Sequence, residues 1–221
     1  MIKIVISFLF LSFLFVGSIQ AQRPKTYPRN FIGAYLGPNL SGFSGDYIAN
    51  IEGETGKIRL RSQYGFFGKF FINNEISIFS GLHFVLNGAT TKNNDTKSAT
   101  VSISYVAKTN LSTFSIPAMI AYTPREDYGI LLGPQFDYIL SASEPWNRSD
   151  QLKPPDYEED VIEKFNKAGL SLALGGYYLF LNGSSLHLRY THGLTAMTKE
   201  EFGNARPYSI QFYVGINIYK K

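Results

Sequence analysis

The sequence predicts an all-β fold, an eight-stranded antiparallel up-and-down transmembrane β-barrel. Three observations lead to this prediction. The N-terminus has the features of an export signal, and no later stretch is long and apolar enough for a membrane-spanning helix. Eight segments then alternate apolar and polar residues with a period of two. The connections between these segments are alternately short and long, as in outer-membrane barrels.

The composition excludes several classes of protein. The chain has 221 residues, of which 44% are apolar and 17% are charged, against roughly 25% charged residues in soluble domains. It contains no cysteine, which excludes disulfides, cysteine-ligated zinc and thiol catalysis. The net charge of +4 is not concentrated in a basic block, and no glycine-rich phosphate-binding motif is present. We therefore expect no cofactor, no metal and no nucleic-acid partner.

The first 21 residues are predicted to be a signal peptide. Lys3 precedes an uncharged apolar run over Ile4–Val16, and small residues follow as far as Ala21. This run is too short for a transmembrane helix, which needs about 20 apolar residues. We expect cleavage after Ala21, a periplasmic N-terminal segment over 22–30 and an outer-membrane barrel domain over 31–221.

Each of the eight predicted strands has one apolar face, as expected where a strand separates two chemically different environments. In chain order these faces are Ile32, Ala34, Leu36 and Leu40; Tyr64, Phe66, Phe70 and Ile72; Ile76, Ile78, Leu82, Phe84 and Leu86; Phe114, Ile116, Ala118, Ile120 and Tyr122; Tyr128, Ile130, Leu132, Phe136, Tyr138 and Leu140; Leu170, Leu172, Leu174 and Tyr178; Leu186, Leu188 and Tyr190; and Tyr208, Ile210, Phe212, Val214, Ile216 and Ile218. Upstream of the fourth strand, Val101, Ile103 and Tyr105 alternate in the opposite parity. This change indicates either a β-bulge or an extension of the strand beyond the membrane.

The connections between the strands are of two kinds. Tight turns are predicted at Asn73-Asn74, Thr123–Asp127 and Leu181–Ser184, the last of which contains the hairpin dipeptide Asn182-Gly183. Long loops are predicted over 42–60, 88–110, 142–168 and 197–206. Short turns at one end and long loops at the other, with an even number of strands, are typical of a transmembrane barrel. Both ends of the barrel domain then lie on the periplasmic side.

The positions of the charges predict which face meets lipid. A Lys or Arg on the lipid face near the midplane costs about 2 to 4 kcal/mol, and the apolar faces carry no charge. The opposite face should line the lumen and hold a structural network of ion pairs. The predicted members of this network are Lys69, Glu75, Asp137, His187 and Arg189. Side chains just fill the lumen of an eight-stranded barrel, so we expect no open pore.

Five segments carry recurring glycine and aromatic motifs. They are GAYLGPNLSGFSG (Gly33–Gly45), YGFFGKFFINNEISIFSGLHFVLNGA (Tyr64–Ala89), FSIPAMIAY (Phe114–Tyr122), YGILLGPQFDYIL (Tyr128–Leu140) and LHLRYTHGLTAM (Leu186–Met197). Together they resemble the PorT-type outer-membrane β-barrel family. The resemblance implies an outer-membrane barrel domain in a Gram-negative-type bacterium, brings no catalytic residues, and has a namesake tied to protein secretion. The chain departs from such barrels at its end, where Lys220 and Lys221 follow the aromatic Tyr219 that the assembly machinery would read.

Two groups of residues are candidate functional sites. A lipid-modifying barrel enzyme would use a histidine near the outer rim, but the parity of His192 places it on the lipid side with Leu188 and Tyr190. An interfacial structural histidine is therefore the prediction. The acidic residues of Asp156–Asp160, with Glu163, lack the calcium-loop pattern and its central glycine, which favours a solvated loop.

The predicted function is that of a non-enzymatic structural, adhesive or secretion-associated outer-membrane protein that acts through its surface loops. The expected partners are outer-membrane lipid and lipopolysaccharide, the barrel-assembly machinery and a protein bound by the loops. Two alternatives stay open. One is a soluble exported lipocalin-like barrel whose apolar faces enclose a ligand, and the other is a lipid-modifying barrel enzyme.

Overall fold

The computed structural model of the protein describes residues 30–45, 57–95, 103–125, 127–148, 157–180 and 183–220. The strands are β1 (Phe31–Ser44), β2 (Lys57–Phe71), β3 (Ile76–Asp95), β4 (Ile103–Arg125), β5 (Tyr128–Arg148), β6 (Tyr157–Asp160), β7 (Ala168–Leu179), β8 (Ser184–Gly193) and β9 (Arg206–Lys220). Two 3-10 turns cover Ile162–Lys164 and Glu200–Phe202. No helix within these ranges is long and apolar enough to cross a membrane.

Eight of these strands close into an antiparallel barrel, which confirms the predicted fold. Neighbours in the chain pair with each other, β5 pairs with β7, and β1 pairs with β9 to close the ring. The short β6 pairs with β5 outside the ring. Following the paired residues once around the barrel from Ile32 leads back to β1 at Gly42, ten residues further along. This stagger requires strands tilted by roughly 35–45°.

The two faces of the barrel have the predicted chemistry. The predicted apolar faces point outward, and Leu36, Leu60 and Ile216 expose 65%, 68% and 64% of their surface. The alternate residues point inward and are buried, including Lys69 and Arg189. An apolar outer surface is the property of a barrel that meets lipid. The lipocalin-like alternative is therefore wrong, because it requires these apolar faces to line the lumen.

Short connections lie at one end of the barrel, which we call the turn end, where β1 begins and β9 ends. They span two to four residues, between β2 and β3, β4 and β5, and β7 and β8. The opposite end is the loop end. Residues 1–29, with the predicted signal peptide and most of the N-terminal segment, lie outside the described ranges.

Three of the predicted loops are shorter than expected because the strands continue into them, most of all at 88–110 and 142–168. β3 and β4 stay paired as far as Asp95 and Ile103, and β5 runs on to Arg148. The predicted loops 88–110 and 142–168 are therefore largely strand at these positions. The TTKNND end of β3 has no apolar residues, as expected of strand residues that no lipid borders.

The change of parity upstream of the fourth predicted strand has one structural counterpart, the extension of β4. β4 begins at Ile103. This confirms one of the two interpretations, an extension of the strand. The bulge interpretation is wrong for this strand, because the buried positions of β4 stay odd-numbered from Thr109 to Thr123. The pairing of β4 with β5 does shift by one residue between Ser112 and Thr113, but the extra residue is Leu140 on β5. Beyond this bulge the buried positions of β5 become Ala142 and Glu144.

Packed apolar clusters fill both ends of the lumen. The turn-end cluster consists of Phe31, Tyr35, Phe67, Phe79, Met119, Ala121, Leu131, Ala173, Tyr177 and Tyr213. The loop-end cluster consists of Phe43, Ala89, Leu111, Ile139, Ala142, Val161, Phe165, Met197 and Ala205. Polar side chains lie between them, so the lumen has an apolar, a polar and a second apolar layer.

Candidate functional site in the barrel lumen

At the turn end, Lys69 is buried among aromatic rings and hydroxyl groups. Its Nζ donates a hydrogen bond of 3.0 Å to Thr123 Oγ1 and a second bond to the hydroxyl of Tyr177. The same atom lies 4.3 Å from the ring centres of Phe71 and Tyr177. Cation–π contacts of this kind stabilise an ammonium group that has lost its water. Asp127, in the adjacent turn between β4 and β5, supplies a buried carboxylate at this end.

In the middle of the lumen, Arg189 is held by two neutral side chains. Its Nε donates to Gln211 Oε1 at 2.7 Å, and its Nη2 lies 2.8 Å from His83 Nδ1. Because a guanidinium group can only donate, Nδ1 is the acceptor and the ring proton of neutral His83 lies on Nε2. Arg189 also lies 5.6 Å from the ring centre of Tyr213. It is fully buried.

Asp137 is the buried carboxylate of the middle layer. Oδ1 accepts hydrogen bonds from Ser115 Oγ at 2.6 Å and from Gln135 Nε2 at 2.7 Å, and Oδ2 accepts one from Ser171 Oγ. These donors come from β4, β5 and β7, so three strands orient one carboxylate. Several hydrogen bonds of this kind compensate a buried anion for lost hydration.

A cap closes the loop end. We define the cap as residues 161–167 and 197–205, which contribute Val161, Phe165, Met197 and Ala205 to the loop-end cluster. Backbone hydrogen bonds join its two halves: Asn166 donates to Met197 at 2.7 Å, and Lys199 donates to Lys164 at 3.0 Å. Lys164 Nζ also lies 3.8 Å from Glu144 Oε2 on β5, and Thr109 donates to Oε1 of the same carboxylate at 3.1 Å.

Comparison with known proteins decides the family of this barrel. Residues 20–199 match the family model for the outer membrane protein beta-barrel domain, which is most of the chain. The chain belongs to this family. No curated protein matches it. The apolar belt of this outer-membrane barrel accordingly faces lipid.

Solved structures with a similar barrel are known. The chain is similar to Ail, the attachment invasion locus protein of Yersinia pestis, with 11% identity over 86% of this chain and 99% of Ail, at a TM-score of 0.45. It is also similar to Neisserial surface protein A, with 11% identity over 85% of this chain and 97% of that protein, at a TM-score of 0.43. Such low identities carry no residue assignments.

Four of the five predicted network residues lie inside the outer-membrane barrel, and Glu75 does not. It is exposed in the turn between β2 and β3, where its backbone nitrogen donates to Asn73 Oδ1 at 2.9 Å. The parity rule applies to strand residues, and Glu75 precedes the first residue of β3. A turn position lets this carboxylate keep its hydration, which an unpaired carboxylate in the lumen would lose.

The predicted ion pairs also differ from the contacts found. Within the described residues, Lys69, Asp137 and Arg189 bind hydroxyl, amide and imidazole groups rather than one another. The ion pair found there instead joins Lys164 to Glu144. The contact of Glu144 could not be predicted from the sequence, because it depends on the bulge at Leu140. His83 could have been found, since it lies on the polar face of the third predicted strand.

His187 pairs with a serine but is enclosed by aromatic rings. Its Nε2 lies 2.9 Å from Ser185 Oγ, and its ring stacks on Tyr213 with 4.6 Å between ring centres. A serine beside a histidine can act as nucleophile and base when substrate reaches them and a third group orients the ring. Here both side chains are buried, and His187 Nδ1 has no partner among the described residues.

The other two groups considered from sequence have the placements expected of structural residues. His192 points outward beside Tyr190, whose hydroxyl lies 3.3 Å from Nδ1. The neighbouring Thr191 points inward to Ser209. The prediction of a solvated loop for the acidic group is wrong in part, because Tyr157–Asp160 form β6, which pairs with β5. Asp160 and Glu163 are exposed, and Asp156 lies outside the described residues. In the part of the chain that the structure describes, no three His, Asp or Glu side chains are grouped as metal ligands.

Proposed function

We propose that the protein is a non-enzymatic outer-membrane scaffold whose role lies in the strands that rise beyond its loop end. One observation carries this proposal. β3 and β4 remain paired as far as Asp95 and Ile103, five residues beyond Thr90, the last β3 residue with a described partner on β2. A paired hairpin held above the lipid is a rigid surface for a partner, whereas the barrel below it is filled.

The filled lumen supports a surface role rather than transport or catalysis. The turn-end cluster and the cap close the two ends, and the polar side chains between them are buried. The Ser185 and His187 pair lies beside the turn-end cluster, out of reach of a lipid substrate. His192 faces lipid with a tyrosine, not with a serine or carboxylate.

The remaining partners and the cellular route follow from this proposal. The apolar belt contacts lipid and lipopolysaccharide, the assembly machinery inserts the barrel, and a protein partner binds the raised hairpin. Export requires the signal peptide to be cleaved after Ala21, so the mature chain should begin at Gln22 by mass spectrometry. The PorT-type resemblance makes a role in protein secretion the first one to examine.

A hairpin-trimming experiment tests the surface role. Residues 92–106 are replaced by Asn-Gly, which joins the paired residues Thr91 and Ala107 through a two-residue hairpin turn. We expect the trimmed protein to remain a heat-modifiable outer-membrane barrel. Cells that carry it should have the same phenotype as a deletion strain, which lacks the protein. The readouts are the surface proteome, protein secretion and adhesion of intact cells.

A matched control places a short peptide tag in the turn at Asn73-Asn74, at the opposite end of the barrel. This variant should restore the wild-type phenotype to the deletion strain in every readout. Full restoration by the trimmed variant would contradict the proposal, because the raised hairpin would then be dispensable.

A further inference from the structure

A small cavity lies under the cap, in the polar layer of the lumen. Its volume is about 10 Å³, measured as the space open to the centre of a water-sized sphere. A cavity of roughly 10–15 Å³ by this measure holds one water molecule. Asp137, Gln135, Thr191, Ser209 and Gln211 line it, and Met197 of the cap lies at its edge.

One side of the cavity is the end of a hydrogen-bonded chain that begins at Arg189. Arg189 Nε donates to Gln211 Oε1 at 2.7 Å, and Gln211 Nε2 donates to Ser209 Oγ at 2.9 Å. Ser209 Oγ lies 2.7 Å from Thr191 Oγ1. Whichever of these two hydroxyls donates to the other, one hydroxyl proton is left for the cavity.

The other side of the cavity is the group around Asp137. Gln135 donates its amide hydrogen to this carboxylate, and its Oε1 is a buried acceptor with no protein partner among the described residues. Gln135 is 3% exposed. A hydroxyl donor and an amide acceptor therefore face the same space, which suits a molecule that both accepts and donates.

Charge selects the occupant. A monovalent cation would sit close to the chain that carries Arg189, and its oxygen ligands would have to include a carboxylate that already accepts three hydrogen bonds. An anion would face Asp137 and the Gln135 oxygen. A neutral molecule avoids both repulsions, and the volume admits one of the size of water.

We infer that this cavity is a binding site for one water molecule, which completes a relay between Asp137 and Arg189. The water accepts the hydroxyl proton of the Thr191 and Ser209 pair and donates to Gln135 Oε1. The buried anion and cation of the middle layer, which make no direct contact, thereby act as one network.

A crystal structure of the full barrel at high resolution tests the site directly. We expect density for one water within hydrogen-bonding distance of Gln135 Oε1 and of Thr191 or Ser209. An empty cavity would overturn the inference. Soaking a crystal in rubidium chloride distinguishes a bound cation from water, because an anomalous peak in the cavity would identify a cation site instead.

A mutant cycle tests the relay in solution, in detergent micelles and against urea. Asp137→Asn and Arg189→Met should be non-additive, with the double variant departing by about fivefold in its unfolding equilibrium constant from the product of the single effects. Thr191→Val combined with Ser209→Ala, which removes both hydroxyls that can donate to the water, should reduce this departure. Thr113→Val is the control, because Thr113 is buried on the same inner surface but does not line the cavity.

The cycle has two outcomes that contradict the relay. One is additivity of the Asp137 and Arg189 substitutions. The other is an equal loss of coupling in the Thr191→Val/Ser209→Ala and Thr113→Val backgrounds, which would mean that any buried hydroxyl contributes alike. If either single charge variant fails to fold, the crystal structures of the wild type and of Thr191→Val/Ser209→Ala still decide the question, since the water should be absent from the second.

Discussion

The ring of Phe67 lies directly against the backbone of Gly33, so that a Cβ added to Gly33 would come within 2.6 Å of the ring carbon Cζ. Gly215 faces the same ring from β9, with its own added Cβ 2.9 Å from Phe67 Cε1. An aromatic ring at the turn end is thus accommodated by the missing side chains of two glycines on neighbouring strands. The glycine spacing of the sequence reflects this packing.

Gly33→Ala should destabilise the barrel by overpacking. We expect the free energy of unfolding to fall by about 1–3 kcal/mol, because both the Phe67 ring and the backbone oxygen of Ile216 would have to move. Urea titration in micelles, followed by the gel mobility of the folded form, measures this. Gly176→Ala is the matched control, since its Cβ would meet nothing closer than a 3.4 Å contact. Equal losses in both variants would contradict the packing argument.

The ion pair of the cap should control local opening rather than global stability. Lys164→Met removes the partner that lies 3.8 Å from the nearly buried Glu144. Hydrogen exchange at the amides of Asn166 and Lys199, which join the two halves of the cap, should become about fivefold faster. The exposed Lys167 supplies the control Lys167→Met, which should leave both rates unchanged. Unaltered exchange in the Lys164 variant would show that the apolar contacts alone hold the cap.

The lumen should remain closed when the cap alone is weakened. Phe165→Ala removes a ring from the loop-end cluster but leaves Phe67 and the turn-end cluster in place. Planar-bilayer recordings of the wild type and of this variant should therefore show no steady conductance. Channels should form only when Phe67→Ala also opens the turn-end cluster. This second substitution costs about 3–5 kcal/mol of stability. Conductance in the wild type would contradict the closed lumen.

The sequence predicts the parts of this fold that lipid imposes. Strand positions facing the membrane are marked by apolar alternation, and this pattern located all eight barrel strands and the inward direction of Lys69 and Arg189. The partners of Asp137 were not predictable in the same way. Ser115 lies opposite Asp137 only in the observed register of β4 and β5, and a shift of one residue would exchange the two faces.

The cap and the raised hairpin lay beyond the reach of sequence patterns for a related physical reason. Neither borders lipid, so neither has an apolar face in the parity of the barrel strands, and only the reversed parity of Val101, Ile103 and Tyr105 indicated the extension of β4. Val161 and Phe165 contribute to the loop-end cluster from a short irregular segment. Glu75 shows a limit of the parity rule. It was assigned to the lumen by the parity of the third strand, although it lies in the turn that precedes this strand.

A pair of leucines tests the depth of the lipid belt. Leu174, in the middle of β7, and Leu194, just beyond the end of β8, are similarly exposed at 50% and 52%. Leu174→Arg should cost about 2–4 kcal/mol in a bilayer, whereas Leu194→Arg near the interface should cost about 0–1 kcal/mol. The measurement is urea-dependent folding into phospholipid vesicles, with the two variants compared at the same lipid ratio. Because both side chains are equally exposed, a surface facing water would tolerate both substitutions alike, and equal effects would therefore contradict the membrane placement of the barrel.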